Sequence, residues 1–252
     1  HTEADTAALL TQFLAAAGNV IGRDCHWLAE ADVHSLKLFV VLVGLTAKGR
    51  KGTSWGHIRR LMHNADPTWL DRNISGLGSG EGLIHAVRDP SEKDEKDQGQ
   101  DDKRLFVVET EFASVLRVAA RDGSTLSAIL RLAWDTDHLQ IATKNCPLNA
   151  TGAHISLVGH ITRDELIRDL TATDTANGFA NRILWVCAQR SKLLPEGGQV
   201  PIASLQKLER RLKDVLEFAR CGGRQEFRRD TDARRIWNAM YSDLSEGKPG
   251  LF

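Results

Sequence analysis

Net charge is what this 252-residue chain lacks: 33 Lys+Arg stand against 33 Asp+Glu. That balance excludes a basic nucleic-acid arm or an acidic tail acting through bulk electrostatics, because long-range attraction to phosphate needs an excess of cations. Any contact with nucleic acid must be local. Cysteine is also scarce: Cys25, Cys146, Cys187 and Cys221 lie far apart with no CxxC pair and no Cys/His cluster at metal-ligand spacing, which reads as four reduced, mostly buried thiols. No apolar run approaches the roughly 20 residues a membrane-spanning helix needs, and nothing at the start resembles a signal peptide. A cytoplasmic location is expected.

What is present is ordinary: 42% hydrophobic and 26% charged residues, with 21 Gly against 6 Pro. A chain of this length buries roughly 70–75% of its unfolded surface, so a compact core is expected. The chain begins at His1, has its first methionine at Met62 and stops at Gly250-Leu251-Phe252 without a cap or polar tail. It reads as a segment of something longer.

The apolar spacing of TAALLTQFLAAA predicts a helix over 6–17, and residues 1–34 are expected to form an N-terminal helical segment. Four short apolar runs predict strands buried on both faces: SLKLFVVLVG at 35–44, LFVV at 105–108, AHISLVG at 153–159 and ILWVCA at 183–188. Helical patterns fall between them, at 54–64, 112–120, 126–134 and 163–171. Residues 88–104 hold seven acidic and five basic side chains and nothing apolar, so a mobile, solvated insertion is expected there. Residues 35–200 then form one α/β core with a mainly parallel sheet. Residues 201–252, with amphipathic helices at 202–219 and 230–244, form a helical C-terminal attachment, read as truncated.

Ligands of parallel sheets collect at the carboxyl ends of the strands, so the residues following each strand are the candidates for chemistry. After the first strand comes Gly44-Leu-Thr-Ala-Lys-Gly49-Arg50-Lys51-Gly52-Thr53-Ser54. Small residues let backbone amides turn toward a phosphate, a lysine reaches the β/γ-phosphates, and a hydroxyl at the helix start meets Mg²⁺. The spacing is irregular, since the usual phosphate-loop pattern would put Arg50 at the lysine position. Lys51 with Thr53 or Ser54 is favoured because a guanidinium fork is too bulky for the cradle.

The second strand ends in Glu109-Thr110-Glu111, the pattern by which P-loop NTPases hold a metal and activate water. By position, Glu109 serves the metal and Glu111 the water. Glu81, in the loop GSGEGLI, is a rival for the water, and the residues alone do not separate it from Glu111. His160 or Thr162, at the end of the third strand, could sense the γ-phosphate or the attacking water. Arg182 precedes the fourth strand; it would act across a subunit boundary or pair with a local carboxylate. The polar stretch from Trp134 to Asn149, with Lys144, is a candidate DNA-facing loop or a plain surface excursion.

In this order, GLTAKGRKGTSW, SGLGSGEGLI, FVVETEFASVL, LSAILRLAWD, ATGAHISLVGHIT and NGFANRILWV resemble phage- and plasmid-type primase-helicase proteins, over about residues 35–189. The resemblance implies a RecA-like P-loop ATPase core of the additional-strand kind, binding ATP and Mg²⁺. It further implies a homo-oligomer, a hexameric ring, with ATP hydrolysed at subunit interfaces and Arg182 acting in trans. Single-stranded DNA and a primase domain in the same or a partner chain would be its partners, and replication of a mobile element its setting. The phosphate loop and Glu109, where aspartate is commoner, depart from the family pattern. Two other readings stand beside this one: a replication-associated DNA- or partner-binding module that hydrolyses little, and a small-molecule kinase.

Overall fold

A computed structural model describes residues 2–45, 49–91, 95–142 and 147–246. At its centre lie five parallel strands: β3 (Phe39–Gly44), β4 (Asn73–Ile74), β5 (Arg104–Glu109), β8 (His154–Thr162) and β9 (Leu184–Cys187), in the order β4-β5-β8-β3-β9. Helices cover both faces, an arrangement compatible with Rossmann-like and RecA-like folds. Strands buried on both sides can afford no polar face, which is why β3 reads FVVLVG without alternation.

Side-chain alternation still divides the core in two. Val40 and Leu42 of β3, Phe106 of β5 and Val158 of β8 pack against α1 (Thr6–Ile21), α2 (Lys51–Ala65) and α8 (Ile202–Cys221). Phe39, Val41, Leu105, Val107 and Leu157 pack on the other face, against α3 (Gly80–His85), α4 (Phe112–Ala119), α5 (Leu126–Asp135) and α6 (Arg163–Asp169). The connection after β3 therefore leaves on one face, through α2, and the connection after β8 leaves on the other, through α6. A crevice opens between the carboxyl ends of those two neighbouring strands, the place where such sheets bind ligands.

On the first face, α1 carries two polar residues seven apart in an otherwise apolar stripe. Asn19 is fully buried and satisfied: its Nδ2 donates to the carbonyls of Leu105 (3.1 Å) and His154 (3.0 Å), and its Oδ1 accepts from Trp69 Nε1 (2.8 Å). His154 donates through Nε2 to the Gly18 carbonyl (3.1 Å). The helix is thereby fixed across two strands.

Several elements differ from the expectations above. The N-terminal segment is not only helical: β1 (Cys25–Ala29) and β2 (Asp32–Ser35) form a hairpin, and β10 (Gln225–Phe227) pairs in parallel with β1. The segment before the core and the segment after it thus share a small sheet. The first core strand starts at Phe39, since Ser35 belongs to β2. Residues 83–85, read as a short apolar piece, are in helix α3. The polar stretch after α5 holds a two-stranded ladder, β6 (Leu139–Ile141) with β7 (Leu148–Ala150); Lys144 and Cys146 lie outside the described residues.

Within 88–104 the described residues are joined by ion pairs, Arg88 with Asp97 (2.6 Å), Lys103 with Asp89 (2.7 Å) and Arg104 with Asp102 (2.7 Å). Asp89 also accepts from the Thr151 amide and hydroxyl. Charge pairing holds this loop where apolar burial has nothing to offer. Of the described cysteines, Cys25 is buried and Cys187 and Cys221 are exposed. Among the described residues no helix is long and apolar enough to cross a membrane.

Candidate functional site

The loop after β3 returns to the strand end and delivers Lys51 as the first residue of α2. Its ammonium folds back over Gly44, so that a Cβ built on Gly44 would lie 2.9 Å from Lys51 Nζ and 3.2 Å from the Ala188 carbonyl oxygen. Gly49 packs beside it, with its own Cβ position 3.9 Å from the Gly44 Cα and from Lys51 Cγ. Both glycines are needed as glycines, because any side chain would occupy the space the lysine crosses. Residues 46–48, the crest of this loop, lie outside the described residues.

Arg50 turns the chain into the helix with φ 54° and ψ 27°, and its guanidinium pairs with Glu3 (2.7 Å). The arginine is thus engaged by the N-terminal segment while the lysine covers the strand end. No side chain caps α2, and its first turn holds no acidic residue, so the amides of Lys51, Gly52 and Thr53 have no intrahelical acceptor. A 15-residue helix starting this way presents an amide cluster and a positive dipole end beside an ammonium.

The two hydroxyls expected to compete for a metal are differently placed. Ser54 is fully buried; its Oγ donates to the Lys51 carbonyl (2.6 Å) and accepts from Gln12 Nε2 (2.7 Å). Thr53 is exposed. Ser54 therefore works as a strut inside the turn, and Thr53 is the hydroxyl at the surface.

Across the crevice, Thr162 ends β8 opposite Gly44 and caps α6 reciprocally with Glu165: Glu165 Oε2 accepts from the Thr162 amide (3.0 Å) and hydroxyl (2.7 Å). These bonds hold the Glu165 carboxyl below its usual range. Glu165 in turn opposes the loss of charge that burial imposes on Lys51, whose pKa lies below the usual lysine value. Lys51 and Glu165 thus form an electrostatic pair across the switch point. Sequence reasoning missed Glu165, although Thr-x-x-Glu after a strand is a legible capping box.

His160 lies beneath the same loop, 3% exposed. Its Nε2 donates to Gln12 Oε1 (3.2 Å), because the Gln12 amide nitrogen already donates to Ala8 O and Ser54 Oγ. A continuous chain therefore runs from His160 through Gln12 and Ser54 to the Lys51 carbonyl. Burial, and secondarily the Lys51 charge, push the His160 pKa down to about 4. The ring is neutral at pH 7 with Nδ1 as an acceptor, so it can receive a hydrogen bond from water but cannot donate one from Nδ1 to a phosphate oxygen. Gln12 was the other residue missed; its signal is a glutamine seven residues before Asn19 on the apolar stripe of α1.

The carboxylates after the other strands stand farther off. Glu109 pairs in register with Gly159, which pairs with Val41, so β5 ends level with a point three residues short of Gly44. At ~3.3 Å per residue and ~4.8 Å per strand, Glu109 is about 10 Å along and about 10 Å across from Gly44. Its Oε1 accepts from the Leu77 amide (2.7 Å), tying down the loop after β4. Glu111 is exposed, two residues farther along. Glu81 stands in the first turn of α3, after the edge strand β4, and its Oε2 accepts from Thr125 Oγ1 (2.9 Å). Its own backbone amide and then Thr125 hold its carboxyl below the usual range. Of the three, Glu111 combines exposure with the nearer strand.

Arg182 belongs to the opposite end of the sheet. It precedes β9, whose Leu184 pairs with Val40, so it sits at the amino ends of the strands. Asp135 receives its fork (2.7 and 3.0 Å) and the Gly178 carbonyl accepts a third bond (2.8 Å). With β3 some 15–20 Å long, Arg182 cannot reach the Lys51 end of its own chain.

A cleft of about 710 Å³ also lies at the amino ends, lined among others by Arg23, Arg104, His154 and Arg220. Its arginines are paired, Arg23 with Asp137, Arg104 with Asp102 and Asp66, and Arg220 with Asp66, so it has no unmet charge to offer. Among the described residues no group of three His, Cys, Asp or Glu side chains is disposed to hold a metal.

Comparison with protein-family models and with curated proteins finds no match. What the chain does must be argued from the site alone.

Proposed function

We propose that the chain binds ATP at the β3/β8 crevice and hydrolyses it with Mg²⁺. The single observation that carries this reading is Lys51 folded over Gly44 at the carboxyl end of a central parallel strand, beside the uncapped start of α2. A triphosphate needs that combination: an ammonium for the β/γ-phosphates, backbone amides for the remaining oxygens, and no Cβ between them.

The residues present fit the nucleotide better than they fit a directly bound metal. Thr53 is the hydroxyl that would meet Mg²⁺, while Glu109 would act through metal-bound water, since its carboxylate is set back along β5 and shared with the Leu77 amide. Mg²⁺ dehydrates reluctantly and commonly keeps such waters. The metal would supply charge neutralisation of the phosphates. Glu111 would orient the attacking water, and His160 Nδ1 would accept from a water beneath the loop.

Resemblance to the primase-helicase family extends this to a motor on single-stranded DNA, assembled as a ring, with Arg182 stabilising charge on a neighbour's nucleotide. For that, Arg182 must leave Asp135. Its exposed salt bridge is worth only about 0.2–1 kcal/mol, so release is inexpensive.

ATP hydrolysis measured with and without single-stranded DNA tests the proposal: turnover stimulated by DNA is expected, and binding without turnover would favour the platform reading. Two variants then separate the roles of Arg182. Asp135→Asn, which frees the fork, is expected to leave turnover unchanged or raised, and Arg182→Ala to lower it at least ~10-fold, as for loss of a transition-state contact. If both variants behave alike, with only a small shift in Tm, Arg182 is a local clamp.

A further inference from the structure

The geometry points to association between copies of this chain through α9 (Thr231–Ser245), whose apolar stripe seats in the groove formed by α1, α2 and the start of α8 of a second copy. This rests on neither nucleotide binding nor hydrolysis.

The stripe comes first. No residue of α9 is buried, yet Ile236, Met240, Tyr241 and Leu244, four large apolar side chains, recur at helical spacing and are 49–59% exposed. Single exposed apolar residues are ordinary, but an aligned row along a whole helix is a contact surface. Helical spacing also sets Asp232, Asp243 and Glu246 along one border of that row, on the Ile236 side.

The groove is the complementary shape. It has a volume of about 710 Å³, and Leu9, Leu10, Phe13, Ile58, Leu61 and Leu208 contribute its apolar wall. The charged side chains of its lining are cationic: His57 and Arg60 stand on α2, and Lys207 and Arg211 adjoin Leu208 on α8. An acid-bordered apolar helix matches an apolar groove bordered by cations.

A molecule cannot fill its own groove. Arg229 is stacked between Trp27 (4.2 Å) and Trp237 (4.1 Å), which pins α9 to the small sheet near the C-terminal end of α8. From Trp237 to Ser245 the helix spans only about 12 Å, whereas Leu208 lies about 20 Å back along α8 from Cys221. A second copy supplies both the stripe and the groove. One helix in one groove buries on the order of 1,000 Å² in total, the low end for specific contacts, so the association is concentration-dependent. The contact is heterologous, joining different patches on the two copies.

Light scattering coupled to gel filtration, over a range of protein concentrations, tests it. The wild-type chain is expected to grow in mass with concentration. Met240→Glu on α9 and Leu10→Glu in the groove, both at exposed positions, are each expected to weaken association at least ~100-fold, consistent with loss of a hot-spot contact. Mixed in equal amounts, the two variants should form dimers and nothing larger, because one intact helix then meets one intact groove. Circular dichroism checks that each variant is folded. A wild-type chain that stays monomeric at ~100 μM, far above the micromolar range such contacts occupy, would overturn the inference. So would variants that fail to associate when mixed, which would indicate a self-complementary face. Binding of the monomeric wild type to phosphatidylcholine/phosphatidylserine vesicles, lost in Met240→Glu, would instead assign α9 to lipid.

Discussion

Lys51→Ala is expected to lower ATP turnover at least ~100-fold, the usual cost of losing a preorganised charge on a developing phosphate, with no loss of folded structure. Both halves of that expectation follow from where the side chain lies. The ammonium crosses Gly44 at the mouth of the crevice, and burial has already lowered its pKa. A desolvated charge costs stability in the free protein, so truncating it relieves as much as it removes. In the nucleotide complex the same charge would meet phosphate oxygens in a site of low dielectric, where it counts most.

Lys51→Arg should recover little, because a planar fork cannot follow the path over Gly44. Gly44→Ala tests the same geometry from the other side. Its methyl would lie 2.9 Å from Nζ and 3.2 Å from the Ala188 carbonyl, so it should weaken nucleotide binding while sparing the lysine itself. Titrating a fluorescent ATP analogue and following phosphate release separates binding from hydrolysis in all three variants. Undiminished turnover in Lys51→Ala would remove the basis of the nucleotide reading.

The fold was legible in the sequence where one physical signal dominated. The runs FVV, LFVV and ISLVG can only be strands buried on both faces, and their alternation with helical patterns implies a parallel sheet. Glycines after the first strand likewise announced a close approach, which the structure shows as Lys51 over Gly44. Where signals competed, reading failed. The segment CHWLA-ED-VHS, with a charged turn and no buried partner nearby in sequence, becomes a hairpin only because Gln225–Phe227 pairs with it from 200 residues away. Gln12 and Asn19 were hidden by their setting: an apolar stripe read by periodicity reports where residues point and says nothing of the polar groups that a distant strand will satisfy. Glu165 was masked for a different reason, since its capping role is local while its effect on Lys51 depends on β8 lying beside β3.

A fall from pH 7 to pH 4 is expected to cost roughly 6 kcal/mol of stability, about 3 kcal/mol from each of two buried histidines. Burial is the larger cause in both, and it places His154 and His160 at about 4. For His154, hydrogen bonding to the Gly18 carbonyl resists the shift, and the charges of Lys37, Arg104 and Arg23 reinforce it. Its Nδ1 is buried without a partner, so a proton there would find no acceptor. For His160, the neighbouring cation is Lys51.

The direction follows from which state binds protons. In the unfolded chain both rings titrate near ~6.5, whereas in the folded chain they remain neutral down to about 4. Between those values the unfolded state holds more protons, so stability is full above pH 6.5 and declines as pH falls toward 4. Below that, Asp66 adds a second loss: hydrogen bonds and charge from Arg220 and its other partners outweigh its burial and hold it at about 2. Set against a typical 5–15 kcal/mol, the histidine contribution alone can exhaust the stability of an ordinary domain. Urea unfolding at pH 7 and pH 5 should therefore show a midpoint that drops steeply, and His160→Gln, which keeps a donor toward Gln12, should remove about half of the slope. A midpoint that stays level between those pH values would mean that one or both rings titrate normally in the folded protein, and that the chain from His160 through Gln12 to the Lys51 turn is open to solvent.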